Sequence, residues 1–272
     1  MNAVVTGAHG TVGRVLVDEL RVRGARVAAW DRQAAPPLEA EAGEDFLRKH
    51  RPSVLFHLAI ASQPTGIADE SRLVNVEWPA LLARVCLAER IQFVFTSTVM
   101  VFTDREQGPY HPADEPDAAE GYGFEKRLAE QRVRGENPEA IIARLGWQIG
   151  DAPGSNNMLD YLESRQREHG CVRASERWLP ACSFLRDTAM VLCDMTRYLP
   201  GTYHLDSNRG WSFARIASAL SRHHDGRWKI EPTQDYVYDQ RMIDPRVVMP
   251  SLDVRFGEAP MPHSILERER DR

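Results

Sequence analysis

Between Ala3 and Gly150, short and nearly continuous apolar runs alternate with longer stretches in which apolar residues recur every three or four positions. The first rhythm suits strands covered on both faces, and the second suits helices that cover them. "AVVT" predicts a strand, residues 11–23 a helix and "RVAAWD" a second strand. In that helix Val12, Val15, Leu16 and Leu20 form an apolar stripe interrupted only at Glu19, so this face should lie on the sheet. After a Pro/Ala-rich loop come a helix near residues 41–49, the strand "SVLFHLA", a long helix over about 72–89 and the strand "QFVFTST". Residues 104–119, rich in Pro, Asp and Glu, predict a surface loop, followed by a helix from Gly121 and the strand "AIIARLG". This alternation predicts an α/β protein with a Rossmann-type doubly wound parallel sheet.

Beyond Gly150 the elements shorten: "SNNMLDYLESRQREHG", "SFLRDTAMVLCDMTRYL", the strand-like "GTYHLD" and the helix "SFARIASALSRHH". The expected division is a dinucleotide-binding domain at 1–150 and a mainly substrate-binding lobe at 151–272, some of whose elements can return to the first sheet. The tail "ERERDR" reads as a solvated charge run.

Composition narrows the classes. Of 272 residues, 43% are hydrophobic and 27% charged, which suits a globular protein rather than a disordered or fibrous one. A net charge of −5 argues against general nucleic-acid binding. Cys86, Cys171, Cys182 and Cys193 form no C-x-x-C pair, so neither zinc nor a disulfide framework is expected. Neither do the nine histidines show H-x-x-x-H spacing, and no metal is expected; His223 and His224 read as helix-end residues. With no leader before the first strand and no apolar run long enough for a bilayer, the expectation is a cytoplasmic protein without membrane partners.

"TGAHGTVG" sets Gly7, Gly10 and Gly13 between a strand and a helix. Such a turn lets backbone approach a pyrophosphate, whose charge the helix N-terminus stabilises. The expected cofactor contacts are Gly7, His9, Gly10, Thr11 and Val12, with Leu58 and Ala59 at the end of the third strand. Asp31 ends the second strand, where a carboxylate accepts hydrogen bonds from an adenosine ribose and favours NAD; Arg32, beside it, suits the extra phosphate of NADP. The choice between NADPH and NADH stays open here.

In "EGYGFEKRLAEQR", Tyr122 and Lys126 are four residues apart on one helix face, so the ammonium can stabilise a phenolate that is otherwise unfavourable near neutral pH. Ser97 and Thr98 emerge from a buried strand at the carboxyl edge of the sheet, where open α/β folds bind ligands. A hydroxyl, a phenol and an ammonium then share one domain with a dinucleotide turn.

On these residues the chain resembles the extended short-chain dehydrogenase/reductase superfamily and, within it, the dTDP-4-dehydrorhamnose reductase family. "STVMVF" is similar to that family's S-T-D-Y-V-F, "YGFEK" to its Y-x-x-x-K and "RLGWQIG" to its R-x-S-W-V-Y-G, while "GTYHLDS" and "WSFARIASAL" resemble its later strand and helix. The resemblance implies reduction of a keto group on a nucleotide-linked deoxysugar by NADPH or NADH. Thr98 would orient the carbonyl, Tyr122 donate the proton, and Lys126 lower the tyrosine pKa and touch the nicotinamide ribose. Trp147 would lie against the sugar, and Asn75 would support the active-site region. The resemblance also implies a homodimer.

For the substrate, Ser97, Thr98, Trp147, Asn157 and Arg241 are the expected contacts, with Asn156, Arg177, Ser183, Arg186 and Arg246 as further candidates. Val99 and Met100 replace the family's Asp-Tyr, which changes the expected sugar and argues against a 4,6-dehydratase, since neither side chain moves protons. Two alternatives stay open. "HLAIAS" is closer to a nucleotide-sugar 4-epimerase, and the fold also serves a non-catalytic dinucleotide-binding regulatory subunit such as that of methionine adenosyltransferase.

Overall fold

The computed structural model describes residues 1–37, 39–61 and 68–257; the charged tail at 267–272 and Ser62, the last residue of "HLAIAS", lie outside these. The chain runs through β1 (Asn2–Thr6), α1 (Thr11–Val22), β2 (Arg26–Ala29), α2 (Ala40–His50) and β3 (Val54–His57). It continues with the short α3 (Glu70–Arg72), a π-helical turn at Leu73–Glu77, α4 (Trp78–Ala88), β4 (Gln92–Thr98), a 3-10 turn at Val99–Val101, α5 (Gly121–Glu136) and β5 (Ile141–Leu145). The rest comprises β6 (Trp147–Ile149), α6 (Met158–His169), β7 (Val172–Ser175), β8 (Trp178–Leu179), β9 (Cys182–Phe184), α7 (Leu185–Asp194), β10 (Gly201–Leu205), α8 (Phe213–His223), β11 (Ile230–Thr233), β12 (Tyr238–Asp239) and α9 (Leu252–Phe256).

Six parallel strands pair in the order β10-β5-β4-β3-β1-β2. Their apolar side chains make a core on each face. Val5, Phe56, Val94 and Ala143 pack with Leu16 and Leu20 of α1 and Leu192 of α7. On the other face Leu55, Phe93, Phe95 and Ile142 pack with Trp78 and Leu82 of α4 and Ala129 and Val133 of α5. Glu19, which interrupts the stripe of α1, sits at the helix edge and pairs with Arg23 at 2.7 Å.

The expected long helix over 72–89 is present as an unbroken helical run from Glu70 to Ala88, and proline explains the π-helical turn within it. Pro79 has no N–H to offer the Asn75 carbonyl, and the Trp78 N–H instead reaches Leu73, five residues back. The turn carries Asn75 with it.

The lobe has its own core, in which Met158, Leu159 and Leu162 of α6 meet Trp211, Phe213, Ile216, Leu220 and Trp228. Its strands pair two by two: β6 with β9, β7 with β11 and β8 with β12. Two later elements return to the first sheet, as β10 pairs with β5 and α7 packs on α1. Asp206, just after β10, binds three chain segments together by accepting from the N–H groups of Cys182 (2.9 Å), Asn208 (2.8 Å) and Met242 (2.8 Å). All four cysteines are free thiols. Among the described residues no helix is long and apolar enough to cross a membrane.

Candidate active site

The glycine turn is formed by close backbone packing. Gly7 has φ +64°, and a Cβ there would stand 2.8 Å from the Ala59 nitrogen. Gly13 faces the Gly7 carbonyl so closely that any side chain would collide with it. The first turn of α1 therefore lies directly on the loop, with its amide end toward the carboxyl edge of β1 and β3. Thr6 fixes the neighbouring strand end: its Oγ1 accepts from the Leu58 and Ala59 N–H groups at 3.1 and 3.2 Å and so donates to His57 Nδ1 at 3.0 Å. Burial, with Lys126 and Arg32 nearby, holds that imidazole well below its usual pKa.

β4 ends at the same edge. Thr98 caps the 3-10 turn, its Oγ1 accepting from the Met100 N–H at 3.2 Å, so its hydrogen points elsewhere. Gly123 packs directly against the Met100 carbonyl, and this contact seats the first turn of α5 on the strand end. Thr98 and Tyr122 consequently line one cavity of about 620 Å³ with Gly7, Gly10, Thr11 and Val12.

Lys126 is not where helix spacing alone would put it. The side chain is 2% exposed, its Nζ lies 4.0 Å from the Phe95 ring centroid, and it stands outside the cavity lining. Burial lowers its pKa to about 7, against the opposing pull of Glu130 and Glu125. The Tyr122 phenol is pushed up to about 12 by burial and then by Glu125. The Lys126 ammonium faces the aromatic core rather than the cavity.

Two networks fix α5. Glu125 accepts from Ser71 Oγ at 2.7 Å and Asn75 Nδ2 at 2.8 Å, while Asn75 Oδ1 accepts from the Ala61 N–H at 2.9 Å. The asparagine thus bridges the π-helical turn, α5 and the segment after β3. Deeper, Arg144 of β5 forks onto Glu130 at 3.0 and 2.7 Å and meets His204 Nε2 at 3.2 Å. Both members of the ion pair are buried. Burial and Arg144 bring His204 down to about 3, so it stays neutral.

The lobe closes the cavity with Trp147, Gln148, Asn156, Tyr161, Trp178 and Gln240. Trp147 and Trp178 are nearly parallel, with centroids 6.0 Å apart and an interplanar angle of 20°, and Tyr161 meets Trp147 edge-on at 5.2 Å. Val99 and Met100 add an apolar stretch beside Thr98, and Ser97 also lines the space.

Several expected contacts stand elsewhere. Asn157 caps α6: its Oδ1 accepts from Leu159 and Asp160, and its Nδ2 donates to the Ala152 carbonyl and Ser155 Oγ. With both ends of the amide committed, Asn156 faces the cavity instead. Arg241 forks onto Asp239 at 2.8 and 2.6 Å and also bonds the Arg209 carbonyl, leaving Gln240 in the lining. Arg246 makes the same fork with Asp244. Ser183 is buried on Thr188, whereas Arg177 and Arg186 are exposed outside the lining. Asp31 and Arg32 are exposed beyond β2: the Asp31 carboxylate accepts from the Gln33 N–H at 2.8 Å, and the Arg32 guanidinium lies 5.9 Å from the Trp78 ring. His9 and Ala59 flank the glycine turn outside the lining. Sequence reasoning passed over Gln148, Tyr161, Trp178 and Gln240. For Gln148 and Trp178 the available signal was a polar or aromatic residue within a short strand, as in "WQI", whereas Tyr161 on α6 and Gln240 after β12 carried none.

Residues 1–247 match the family described as RmlD substrate binding domain. A probable low-salt glycan biosynthesis reductase of Haloferax volcanii is 30% identical over 174 residues, 59% of this chain and 58% of that protein. A dTDP-4-dehydrorhamnose reductase of Mycolicibacterium smegmatis is 32% identical over 158 residues, 56% and 47% of the two chains. The chain thus spans about half the length of these curated relatives. The crystal structure of a dTDP-4-dehydrorhamnose reductase from Bacillus anthracis in complex with NADP shares the fold, with a TM-score of 0.77 at 20% identity over 92% of this chain and 95% of that one. Because the family match runs unbroken from the glycine turn through α5 and the lobe wall to Val247, the chain belongs to the RmlD substrate-binding-domain family.

Proposed function

We propose that the protein reduces a keto group of a nucleotide-linked deoxysugar with NADPH or NADH, as its reductase relatives are named for doing. The observation that carries this reading is the convergence of Thr98, Tyr122 and the glycine turn on one cavity at the carboxyl edge of a parallel sheet. The turn fits a dinucleotide, since Gly7 and Gly13 let the loop, the end of β3 and the first turn of α1 pack backbone to backbone, which leaves the helix N-terminus open to a pyrophosphate. When bound, the reduced nicotinamide supplies the hydride.

The chain's own residues do the rest. Thr98, whose oxygen already accepts from Met100, has its hydrogen available for the substrate carbonyl. Tyr122 delivers the proton as charge develops on that oxygen; a phenol held at about 12 is fully protonated at neutral pH and ready as a donor. Two hydroxyl donors aimed at one developing alkoxide stabilise it electrostatically. Lys126, one helical turn from Tyr122, is the residue that the family pattern assigns to the phenol and the nicotinamide ribose, a role that requires its Nζ to leave the Phe95 ring. Trp147 and Trp178 cover the sugar. Met100 and Val99 face it with apolar groups, which favours a sugar presenting a methyl or deoxygenated carbon on that side.

The test is titration of the purified protein with NADH and NADPH, followed by a panel of nucleotide-linked 4-keto-6-deoxysugars while absorbance of the reduced cofactor is recorded. Stoichiometric consumption with turnover, abolished in Tyr122→Phe, is the expected result. Product isomers without net consumption would replace the reductase reading with an epimerase. Cofactor and sugar binding with no product would replace it with a regulatory subunit.

A further inference from the structure

Two buried polar atoms on cavity-lining residues have no hydrogen-bond partner: Ser97 Oγ and Gln148 Oε1. They differ in what they require. A hydroxyl can rotate and either donate or accept, whereas a carboxamide oxygen can only accept.

The Gln148 amide is fixed in orientation. Its Nε2 donates to the Gly146 carbonyl at 2.9 Å and to Ser183 Oγ at 3.3 Å. A carbonyl cannot donate, so turning the amide over would set two oxygens against each other; the hydrogen-bond network therefore assigns Oε1 to the unpaired position. The anchor is rigid as well. Gln148 is 7% exposed and is paired in register with Ser183 across β6 and β9, and Ser183 Oγ lies 2.7 Å from Thr188 Oγ1 on α7. Ser183 and Thr188 are fully buried.

The position in the fold is also informative. Leu145 packs in the cluster that includes Val12 of the glycine-turn helix, and Trp147 packs in the lobe cluster. Gln148 follows where the two walls meet. The resembling family pattern R-x-S-W-V-Y-G has an apolar valine at this place, so the acceptor is a departure of this chain.

Resting on the reductase reading above, we infer that Gln148 Oε1 accepts a hydrogen bond from a bound ligand and sets its orientation. The shared chemistry is a neutral donor: the carboxamide N–H of a nicotinamide or a hydroxyl of the sugar. A buried acceptor without a donor is costly, and a ligand that brings one is favoured over a ligand that does not.

Gln148→Met, close in size but lacking the amide, separates the two sources once a thermal melt shows that it folds. If the nicotinamide is the donor, Gln148→Met weakens NADPH binding about tenfold, measured by fluorescence titration without substrate. The unaltered protein then discriminates by a similar factor against the acetylpyridine analogue, in which a methyl replaces the amide NH₂. If the sugar is the donor, NADPH binding is unchanged, calorimetric binding of the nucleotide-sugar weakens about tenfold, and one monodeoxy derivative shows the same loss on the unaltered protein. A folded variant that binds both ligands within twofold of the parent overturns the inference. Should the variant not fold, unaltered protein that binds the acetylpyridine analogue and every monodeoxy sugar as tightly as the originals overturns it equally. None of these readouts needs turnover, so a protein that reduces no keto-sugar yet discriminates at the nicotinamide would remove the reductase reading and leave Gln148 in its role.

Discussion

The cavity wall built by the glycine turn, β4 and α5 offers backbone and small hydroxyl groups around a single tyrosine, whereas the lobe wall offers Trp147, Tyr161, Trp178 and Gln240. The first wall hangs from a continuous six-stranded sheet and the second from two-stranded pairs and one helix. Backbone groups and hydroxyls held by a sheet recognise charge and transfer protons with little dependence on the ligand's outline. Large aromatic faces select by shape and apolar area. On the proposed reading, proton transfer falls to the first wall and the aromatic grip on the sugar to the second, so variants of Tyr122 and Trp178 should separate the two.

The largest effect belongs to the first wall. Tyr122→Phe should lower kcat by about 10²–10⁴ while NADPH affinity stays within twofold, as measured by steady-state kinetics beside fluorescence titration. Equal loss of cofactor affinity would show that the phenol belongs to binding instead. Gly7→Ala comes next: a left-handed residue costs about 1–2 kcal/mol without glycine, and the added methyl meets Ala59, so cofactor affinity should fall at least about tenfold.

Lys126→Met probes the same wall through stability. The folded-state pKa of Lys126 lies near 7, below the usual lysine value, so between about 7 and 10.5 the unfolded chain holds a proton that the folded chain has released. Raising pH through this window stabilises the parent. The methionine variant lacks this burden and should have its greatest thermal advantage at or below pH 7, diminishing as pH rises; an advantage flat from pH 6 to 9.5 would contradict the buried-ammonium account. The smallest expected change is in the second wall, where Trp178→Ala should raise KM for the sugar about three- to tenfold with little effect on NADPH binding, as one stacking face is lost. A change in cofactor affinity there would break the division between the walls.

The sheet half was legible because its signals are local. The run "AVVT", the glycines at 7, 10 and 13 and the stripe of α1 each follow from a few adjacent residues, and so does Thr98 beside a strand end. The location of Lys126 was not legible, since helix spacing gives the shared face with Tyr122 but not the aromatic ring that receives the ammonium. Arg241 and Arg246 looked like anion ligands, yet each has an aspartate two residues earlier that satisfies it first. Asn156 and Asn157 are chemically identical, and only the helix start decides which one caps and which one faces outward. The π-helical turn before α4 was written in Pro79, a signal that the apolar pattern around it concealed. Gln148 illustrates the general limit: the unsatisfied oxygen depends on Ser183, 35 residues away, and no periodicity within "WQI" encodes that pairing.

The return of α7 and β10 to the first sheet has a consequence for how such proteins can be recombined. A fragment ending at Gly150 would keep β1 to β5 but bare the hydrogen-bonding edge of β5 and uncover Leu16 and Leu20, so a single crossover cannot exchange one lobe for another. An exchange that preserves the fold needs several junctions, leaving residues 185–205 and the segment carrying Val247 and Met249 with the sheet and replacing 147–184 and the lobe segments after Leu205 together. Inheritance of a new sugar preference by this fold would therefore come as a mosaic of interleaved pieces rather than as a transplanted module.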